Sequence, residues 1–150
     1  SGTTQDDCGT DKDPLKGFVA PNNKSIAGSD YDVAHVRLGD KWRMPTSEEC
    51  DELLYNCNWQ WSEYGGVNGY LVTSKSNGKS IFLPVGGWLS RDKHNEDFNN
   101  YWMATPHHDN SGGLPNKAMY FRFSASLEKN ASNQQRCWGF MVRPVTTATK

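Results

Sequence analysis

Histidine and carboxylate side chains gather in two polar stretches of the chain, residues 92–96 and 107–109. Such side chains hold a metal ion when three or four of them converge on one point. Adjacent residues of an extended chain point to opposite sides, so His107 and His108 cannot readily share one ion. We therefore expect solvated loops in both stretches, with no metal ion and no other cofactor.

The chain also contains four cysteines: Cys8, Cys50, Cys57 and Cys137. Cys50 and Cys57 lie on one face of a predicted helix, which separates their Cα atoms by about 10.5 Å, whereas a disulfide requires roughly 4.4–6.8 Å. Any disulfide would therefore involve Cys8 or Cys137. The sequence leaves open which pair forms and whether some thiols are simply buried apolar groups.

Motifs that would identify a catalytic centre are not found in the sequence. No Gly-x-Ser-x-Gly elbow, phosphate-binding loop or dinucleotide fingerprint occurs. A nucleophile also needs a neighbouring base, and nothing in the sequence places one beside a serine or cysteine. We therefore predict that the protein is not an enzyme.

Composition excludes other classes of function. The chain has 150 residues, a net charge of −1 and a pI near 6.4. Nucleic-acid binding is not expected, because it needs a basic face. No apolar run approaches the ~20 residues that span a bilayer. Leu, Ile, Val and Phe number only 25, but 18 aromatic residues supply buried area. These numbers predict a folded, aromatic-rich domain.

Two helices are predicted in the first half of the chain. Residues 31–38 allow two helical turns, and Gly39 stands at the usual position after a helix. Thr46 followed by Glu49 matches a capping box, and apolar residues then recur at helical spacing. We therefore predict a helix from about 46 to 57.

Short strands and polar connections are predicted in the rest of the chain. The strands are expected at 69–73, 80–83, 118–123 and 138–143. Asn77-Gly78 between the first two is a strong hairpin signal. The polar stretches are interpreted as long functional loops, at 90–100, 105–117 and 128–136.

The order of these elements predicts the α+β class. Residues 1–30 are expected to form a polar segment that packs on the domain or leads into it. Residues 31–145 are expected to form the domain, and residues 146–150 a tail.

The six tryptophans divide into two predicted groups. Four adjoin predicted regular elements and are expected in the core: Trp42, Trp59, Trp61 and Trp102. Trp88 and Trp138 adjoin polar stretches, where an indole can stack on a sugar ring or anchor a partner.

Six segments share their order and spacing with a known family. They are YDVAHV (31–36), WRMPT (42–46), GVNGY (66–70), SIFLP (80–84), YWMATP (101–106) and RCWGFMVRPV (136–145). Together they resemble the Fibrobacter succinogenes major paralogous domain. The resemblance implies a secreted protein or a lipoprotein, notably of gut Bacteroidetes.

The same order is similar to the wider C-type lectin-like superfamily, which includes formylglycine-generating-enzyme-like domains and the variable proteins of diversity-generating retroelements. That resemblance implies a C-type lectin-like fold, in which one or two short helices support a twisted antiparallel sheet with long late loops. Calcium-dependent sugar binding is not implied, because the Glu-Pro-Asn or Gln-Pro-Asp and Trp-Asn-Asp motifs are missing. The oxidase chemistry is not implied either, because Cys137 lacks a second cysteine close by.

The resemblance and the aromatic, polar loops together predict a non-catalytic, secreted or cell-surface domain that binds a protein or a glycan. Its contact residues are predicted to be Trp88, Arg91, His94, Phe98, Asn99, His107, His108, Asn116, Asn133 and Trp138. Any association with a membrane is expected only through a lipid anchor outside this sequence.

Two other functions stay open at this point. One is a retroelement-diversified variable protein, displayed by a bacterium or on a phage virion as a receptor-binding protein. Seven of the thirteen asparagines lie between 95 and 133, which fits the asparagine-rich codons such diversification leaves. The other, a formylglycine-generating-type oxidase or a pilus subunit, rests on fold analogy alone.

Overall fold

The computed structural model describes residues 25–90, 93–95, 97–107, 117–136 and 138–146. The elements run in the order α1 (Val33–Leu38), β1 (Trp42–Arg43), α2 (Ser47–Tyr55), β2 (Cys57–Tyr64), β3 (Val67–Ser74), β4 (Ser80–Pro84), β5 (Trp88–Ser90), β6 (Lys93–Asn95), β7 (Asn99–His107), β8 (Lys117–Phe123), β9 (Lys129–Gln135) and β10 (Val145–Thr146). Pairing joins the strands into β1–β10, β2–β3–β4, β5–β6 and β7–β8–β9, each antiparallel. The described residues therefore belong to the α+β class, as predicted.

Both helices begin and end where local side-chain chemistry directs. Asp32 caps α1 by accepting hydrogen bonds from two backbone N–H groups of the first turn, and Gly39 ends it with a φ of 91°. Thr46 and Glu49 form both halves of the capping box of α2. The predicted helix at 46–57 is confirmed but ends at Tyr55, and Cys57 opens β2 instead of lying on the helix.

The hairpin predicted around Asn77-Gly78 is confirmed. β3 pairs with β4 from Gly69 opposite Pro84 to Thr73 opposite Ser80, and Gly78 has a φ of 68°. β2, which was not predicted, completes this sheet along the other edge of β3.

The second three-stranded sheet corrects the predicted loops. Residues 128–136 are not a loop, because Lys129–Gln135 pair with the whole of β8 as strand β9. The predicted loop at 90–100 contains β6. The predicted loop at 105–117 includes the end of β7 and the start of β8. The physical reason is that β8, apolar on one face, supplies the hydrogen-bonding partners that its polar neighbour β9 needs.

The strand predicted at 138–143 is not a regular strand. Gly139 forms an antiparallel bridge with Leu89, and Met141 forms a parallel bridge with Tyr101. This segment therefore pairs with β5 at Gly139 and, at Met141, with the edge of β7 that β8 leaves open.

The main core lies between α2 and the two three-stranded sheets. Its buried residues are Cys50, Leu54, Tyr70, Val72, Leu83, Tyr101, Met103, Phe121 and Phe123. Phe123 contacts the rings of Trp59, Tyr70 and Tyr101 with centroids 5.3–5.9 Å apart. A second, smaller core contains Ala34, Met44 and Ala104, with Trp102 packed against it. Aromatic rings thus supply much of the buried area that few aliphatic residues could provide.

The predicted division of the tryptophans is only partly correct. Trp59 packs against the main core and Trp102 against the second one, as expected. Trp42 and Trp61 are 38% and 44% exposed, so their placement in the core was wrong. The Trp61 ring packs edge-on against Tyr70, 5.0 Å away, and nothing covers its remaining surface among the described residues.

Candidate ligand-binding surface

The sheet β7–β8–β9 has two faces of different character. Residues directly opposite one another in paired strands share a face, and alternate residues lie on the other one. One face carries Tyr101, Met103, Phe121 and Phe123 and packs into the main core. We call the other the outer face. Its polar and aromatic residues are Asn100 and Trp102 of β7, Tyr120 and Arg122 of β8, and Asn130, Ser132 and Gln134 of β9.

Five aromatic rings, connected by a series of ring contacts, lie on the side of the outer face. This aromatic cluster consists of Trp88, Trp102, Tyr120, Trp138 and Phe140. The Phe140 ring lies 4.4 Å from that of Trp102, 4.8 Å from Tyr120 and 5.9 Å from Trp88. Trp88 and Trp138 are 4.9 Å apart. Tyr120 is buried and the other four rings are half-buried, so the cluster is packed inside and still meets solvent.

Backbone hydrogen bonds position the three rings of the cluster that lie outside β7 and β8. The Trp102 amide donates to the Met141 carbonyl, and the Met141 amide donates to the Asn100 carbonyl, both at 2.9 Å. Because the side chains of an extended segment alternate, Met141 packs against the main core while its neighbour Phe140 lies on the outer face. Leu89 and Gly139 exchange backbone hydrogen bonds of 2.9 and 3.0 Å, which brings Trp88 beside Trp138.

A positioned cation borders the aromatic cluster. The Arg122 Nε donates a 2.9 Å hydrogen bond to the Asn130 Oδ1. The Cζ of the same guanidinium lies over the Phe98 ring, 4.4 Å from its centre, in a cation–π contact. Among the described residues no carboxylate forms an ion pair with Arg122.

Asn99 was predicted to contact a ligand, and the structure corrects this prediction. It is 1% exposed and lies on the core side of β7. Its Oδ1 accepts hydrogen bonds from the backbone N–H groups of Gly86, at 2.7 Å, and Gly87, at 2.9 Å, while its Nδ2 donates to the Phe123 carbonyl. Every group of the amide is engaged, so Asn99 supports the chain that leads into Trp88.

Of the predicted contact residues, Trp88 and Trp138 contact each other in the aromatic cluster, and Phe98 contacts Arg122 of the outer face. His94 is paired with Leu89, on the side of the β5–β6 hairpin opposite to Trp88, and its Nε2 lies 2.8 Å from the Gly86 carbonyl.

His107 and Asn133 also lie away from the aromatic cluster. Asn133 is opposite Met119 and therefore shares its core-side face. His107 stands at the far end of β7 from Asn100, roughly 20 Å along the strand. Arg91, His108 and Asn116 lie outside the described residues.

The prediction from sequence missed Arg122, Asn130, Tyr120 and Phe140. Strand alternation in the predicted strand at 118–123 would have separated Tyr120 and Arg122 from Phe121 and Phe123. Asn130 was hidden because its strand was interpreted as a loop.

The described residues offer little for metal or nucleophilic chemistry. They contain no group of three or more metal-binding side chains. Neither helix within them is long and apolar enough to cross a membrane. Cys50 and Cys57 are free thiols, and burial raises the pKa of the Cys50 thiol to about 12. Cys8 and Cys137 lie outside the described residues.

The two free thiols are expected to differ in reactivity towards iodoacetamide. Since the thiolate is the nucleophile, a pKa of about 12 leaves Cys50 with roughly a thousandfold less thiolate than a free cysteine at pH 8. Cys57 is half-buried, and burial also raises the pKa of its thiol. Peptide mapping by mass spectrometry should show Cys57 labelled first in the native protein and equal labelling in denaturant. Native labelling of Cys50 as fast as Cys57 would contradict the packing of α2.

Comparisons of the chain with models of protein families, with curated proteins and with solved structures found no match.

Proposed function

We propose that the protein is a non-catalytic ligand-binding domain and that the aromatic cluster is the centre of its contact surface. The observation that carries the proposal is the group of packed aromatic rings on the outer face, four of them half-buried, bordered by Arg122 and Asn130. Tryptophan, tyrosine and arginine at the centre of a surface supply most of the binding energy of known interfaces. Side chains that are already packed also lose little conformational entropy when a ligand binds.

We further propose a C-type lectin-like fold and a secreted or cell-surface location for the domain. Two short helices beside antiparallel sheets, and a contact surface built from residues 88–140, support the fold. The segments 101–106 and 136–145, which carry much of the sequence resemblance, meet where Trp102 and Met141 pair. The location rests on the resemblance alone.

The alternative of a diversified variable protein is less well supported. Diversification at asparagine codons requires side chains that can change without unfolding the domain. Asn99 and Asn100 are 1% and 4% exposed, and the Asn99 amide holds two glycine N–H groups. Two of the seven asparagines that suggested this function are therefore structural.

The variant Trp138→Ala tests the proposed surface. We expect binding to a glycan array, or to surface proteins in a pull-down, to weaken at least about tenfold, because truncating a central aromatic residue typically removes more than 1–2 kcal/mol of binding energy. Tyr64→Ala is the matched control, since Tyr64 is 75% exposed but lies on the other three-stranded sheet. Circular dichroism establishes that both variants are folded.

Three results would contradict this function. One is wild-type protein that retains nothing on the array or in the pull-down. The second is equal binding by the wild type and Trp138→Ala, and the third is loss of binding with Tyr64→Ala only.

A further inference from the structure

Arg122 is held on two sides before any ligand arrives. Asn130 accepts a 2.9 Å hydrogen bond from the Nε, and the Phe98 ring contacts the guanidinium with its centre 4.4 Å from Cζ. The two terminal Nη groups form no hydrogen bond with a described residue. This leaves the paired N–H donors that bind a carboxylate in a bidentate manner.

The guanidinium lies next to the aromatic cluster on the same strand face. Arg122 and Tyr120 are alternate residues of β8, about 7 Å apart, and Tyr120 is opposite Trp102. A ring that stacks on the cluster can therefore extend a carboxylate to Arg122. Aromatic faces suit the apolar side of a sugar ring, whose hydroxyl groups lie around its edge.

The remaining side chains of the outer face suit hydroxyl groups better than further charges. Asn130, Ser132 and Gln134 alternate along β9 and present amide and hydroxyl groups that both donate and accept hydrogen bonds. Within β7, β8 and β9 as described, Arg122 is the one cation that strand register places on this face. A peptide with several acidic residues would call for several cations, whereas a sugar with one carboxylate needs one.

We infer that the outer face binds an acidic glycan, with a sugar carboxylate on the Arg122 guanidinium and a sugar ring on the aromatic cluster. The inference rests on the proposed function and names the class of ligand for the same surface. Asn130 is a positioning residue, because it acts through Arg122.

The probes are glucuronosyl-xylotriose, a hyaluronan disaccharide and 3′-sialyllactose, which carry one carboxylate each. Each is compared with its methyl ester by isothermal titration calorimetry. The ester removes the negative charge and keeps the sugar rings. We expect at least one acid to bind and its ester to bind at least about tenfold more weakly, since charge-assisted hydrogen bonds are lost. Hexaglutamate is expected to bind more weakly than that acid.

Two variants separate the charge from the fold. Arg122→Gln removes the cation and is expected to weaken acid binding at least about tenfold. Asn130→Asp places a carboxylate beside the Arg122 Nε, where its negative charge offsets the positive charge that the ligand needs at the Nη groups. The new ion pair keeps the exposed site folded. The Asn130→Asp variant should weaken acid binding to a similar extent without lowering the melting temperature. Arg37→Gln, on the exposed side of α1, is the control and should bind like the wild type.

The outcomes distinguish this inference from the proposed function. Equal binding of acid and ester, with loss only in Trp138→Ala, overturns the acidic class and leaves the aromatic surface intact. Tighter binding of hexaglutamate overturns the glycan in favour of an acidic peptide. No binding of any of the three acids, or unchanged binding by Arg122→Gln and Asn130→Asp, overturns the inference.

Discussion

Asp32→Ala is expected to lower the free energy of unfolding by about 3–5 kcal/mol, which is a large part of the stability of a domain of this size. The Asp32 carboxylate is fully buried and accepts hydrogen bonds from four backbone N–H groups. Gly28 and Met44 donate to Oδ2 at 2.9 and 2.8 Å, and Ala34 and His35 donate to Oδ1 at 2.8 and 3.2 Å. Alanine leaves these donors without an acceptor.

The position of Asp32 explains why no neighbour can compensate. One side chain joins the turn at 28–29, the first turn of α1 and the strand end at Met44, which is 6% exposed in the second core. After truncation, water can reach only the part-buried N–H groups of Gly28 and His35. The buried N–H groups of Ala34 and Met44 therefore stay unsatisfied.

Urea unfolding followed by circular dichroism measures the effect. Asp32→Asn should lie between the wild type and alanine, because one amide oxygen can accept while the NH2 group faces N–H donors. Asp40→Ala is the control: that side chain is 99% exposed, and its loss should change the unfolding free energy by less than about 0.5 kcal/mol. A loss below about 1 kcal/mol for Asp32→Ala would show that the four hydrogen bonds do not hold this junction.

Elements with local signals could be predicted from the sequence. The capping box of α2 and the Asn77-Gly78 turn are each encoded within a few residues, and both are present. β9 could not be predicted in this way, because its sequence KNASNQQ is polar and becomes a strand only beside β8. Pairing between distant segments also decides the path of residues 138–142.

Burial of individual tryptophans depends on the same long-range pairing. Trp59 and Trp61 share one face of β2, yet Trp59 packs against Phe123 while Trp61 is 44% exposed. Sequence proximity to a regular element does not distinguish them. The strand must first be placed against the sheet that covers it.

The candidate site could be predicted only in part, because the exposure of its residues also depends on long-range strand pairing. Composition indicated an aromatic surface at Trp88 and Trp138, and their rings are in contact. The faces of Asn99 and Asn133 follow from strand register, which the sequence alone did not provide. A shift of one residue exchanges core and surface side chains in a strand, so residue types that suit binding can still point to the core.

Asn99→Ala is the second change for which we expect a large effect, about 2–4 kcal/mol of unfolding free energy. Alanine leaves the N–H groups of Gly86 and Gly87 and the carbonyl of Phe123 without their side-chain partner. Asn99→Asp retains the acceptor for the two glycines but brings an oxygen against the Phe123 carbonyl, so an intermediate loss is expected.

The effect of Asn99→Ala should extend to ligand binding although Asn99 cannot touch a ligand. Gly87 directly precedes Trp88, so release of the glycine N–H groups frees the chain that places Trp88 against Trp138, 4.9 Å away. Near-ultraviolet circular dichroism should therefore change at temperatures where the far-ultraviolet spectrum is still native, and affinity for the captured ligand should fall in the same range. Asn58→Ala, an exposed position on β2, should alter neither. If Asn99→Ala lost stability but bound like the wild type, this prediction would be wrong. The ring contacts and the bridge of Leu89 to Gly139 would then be sufficient to hold the aromatic cluster, and Asn99 would support the fold alone.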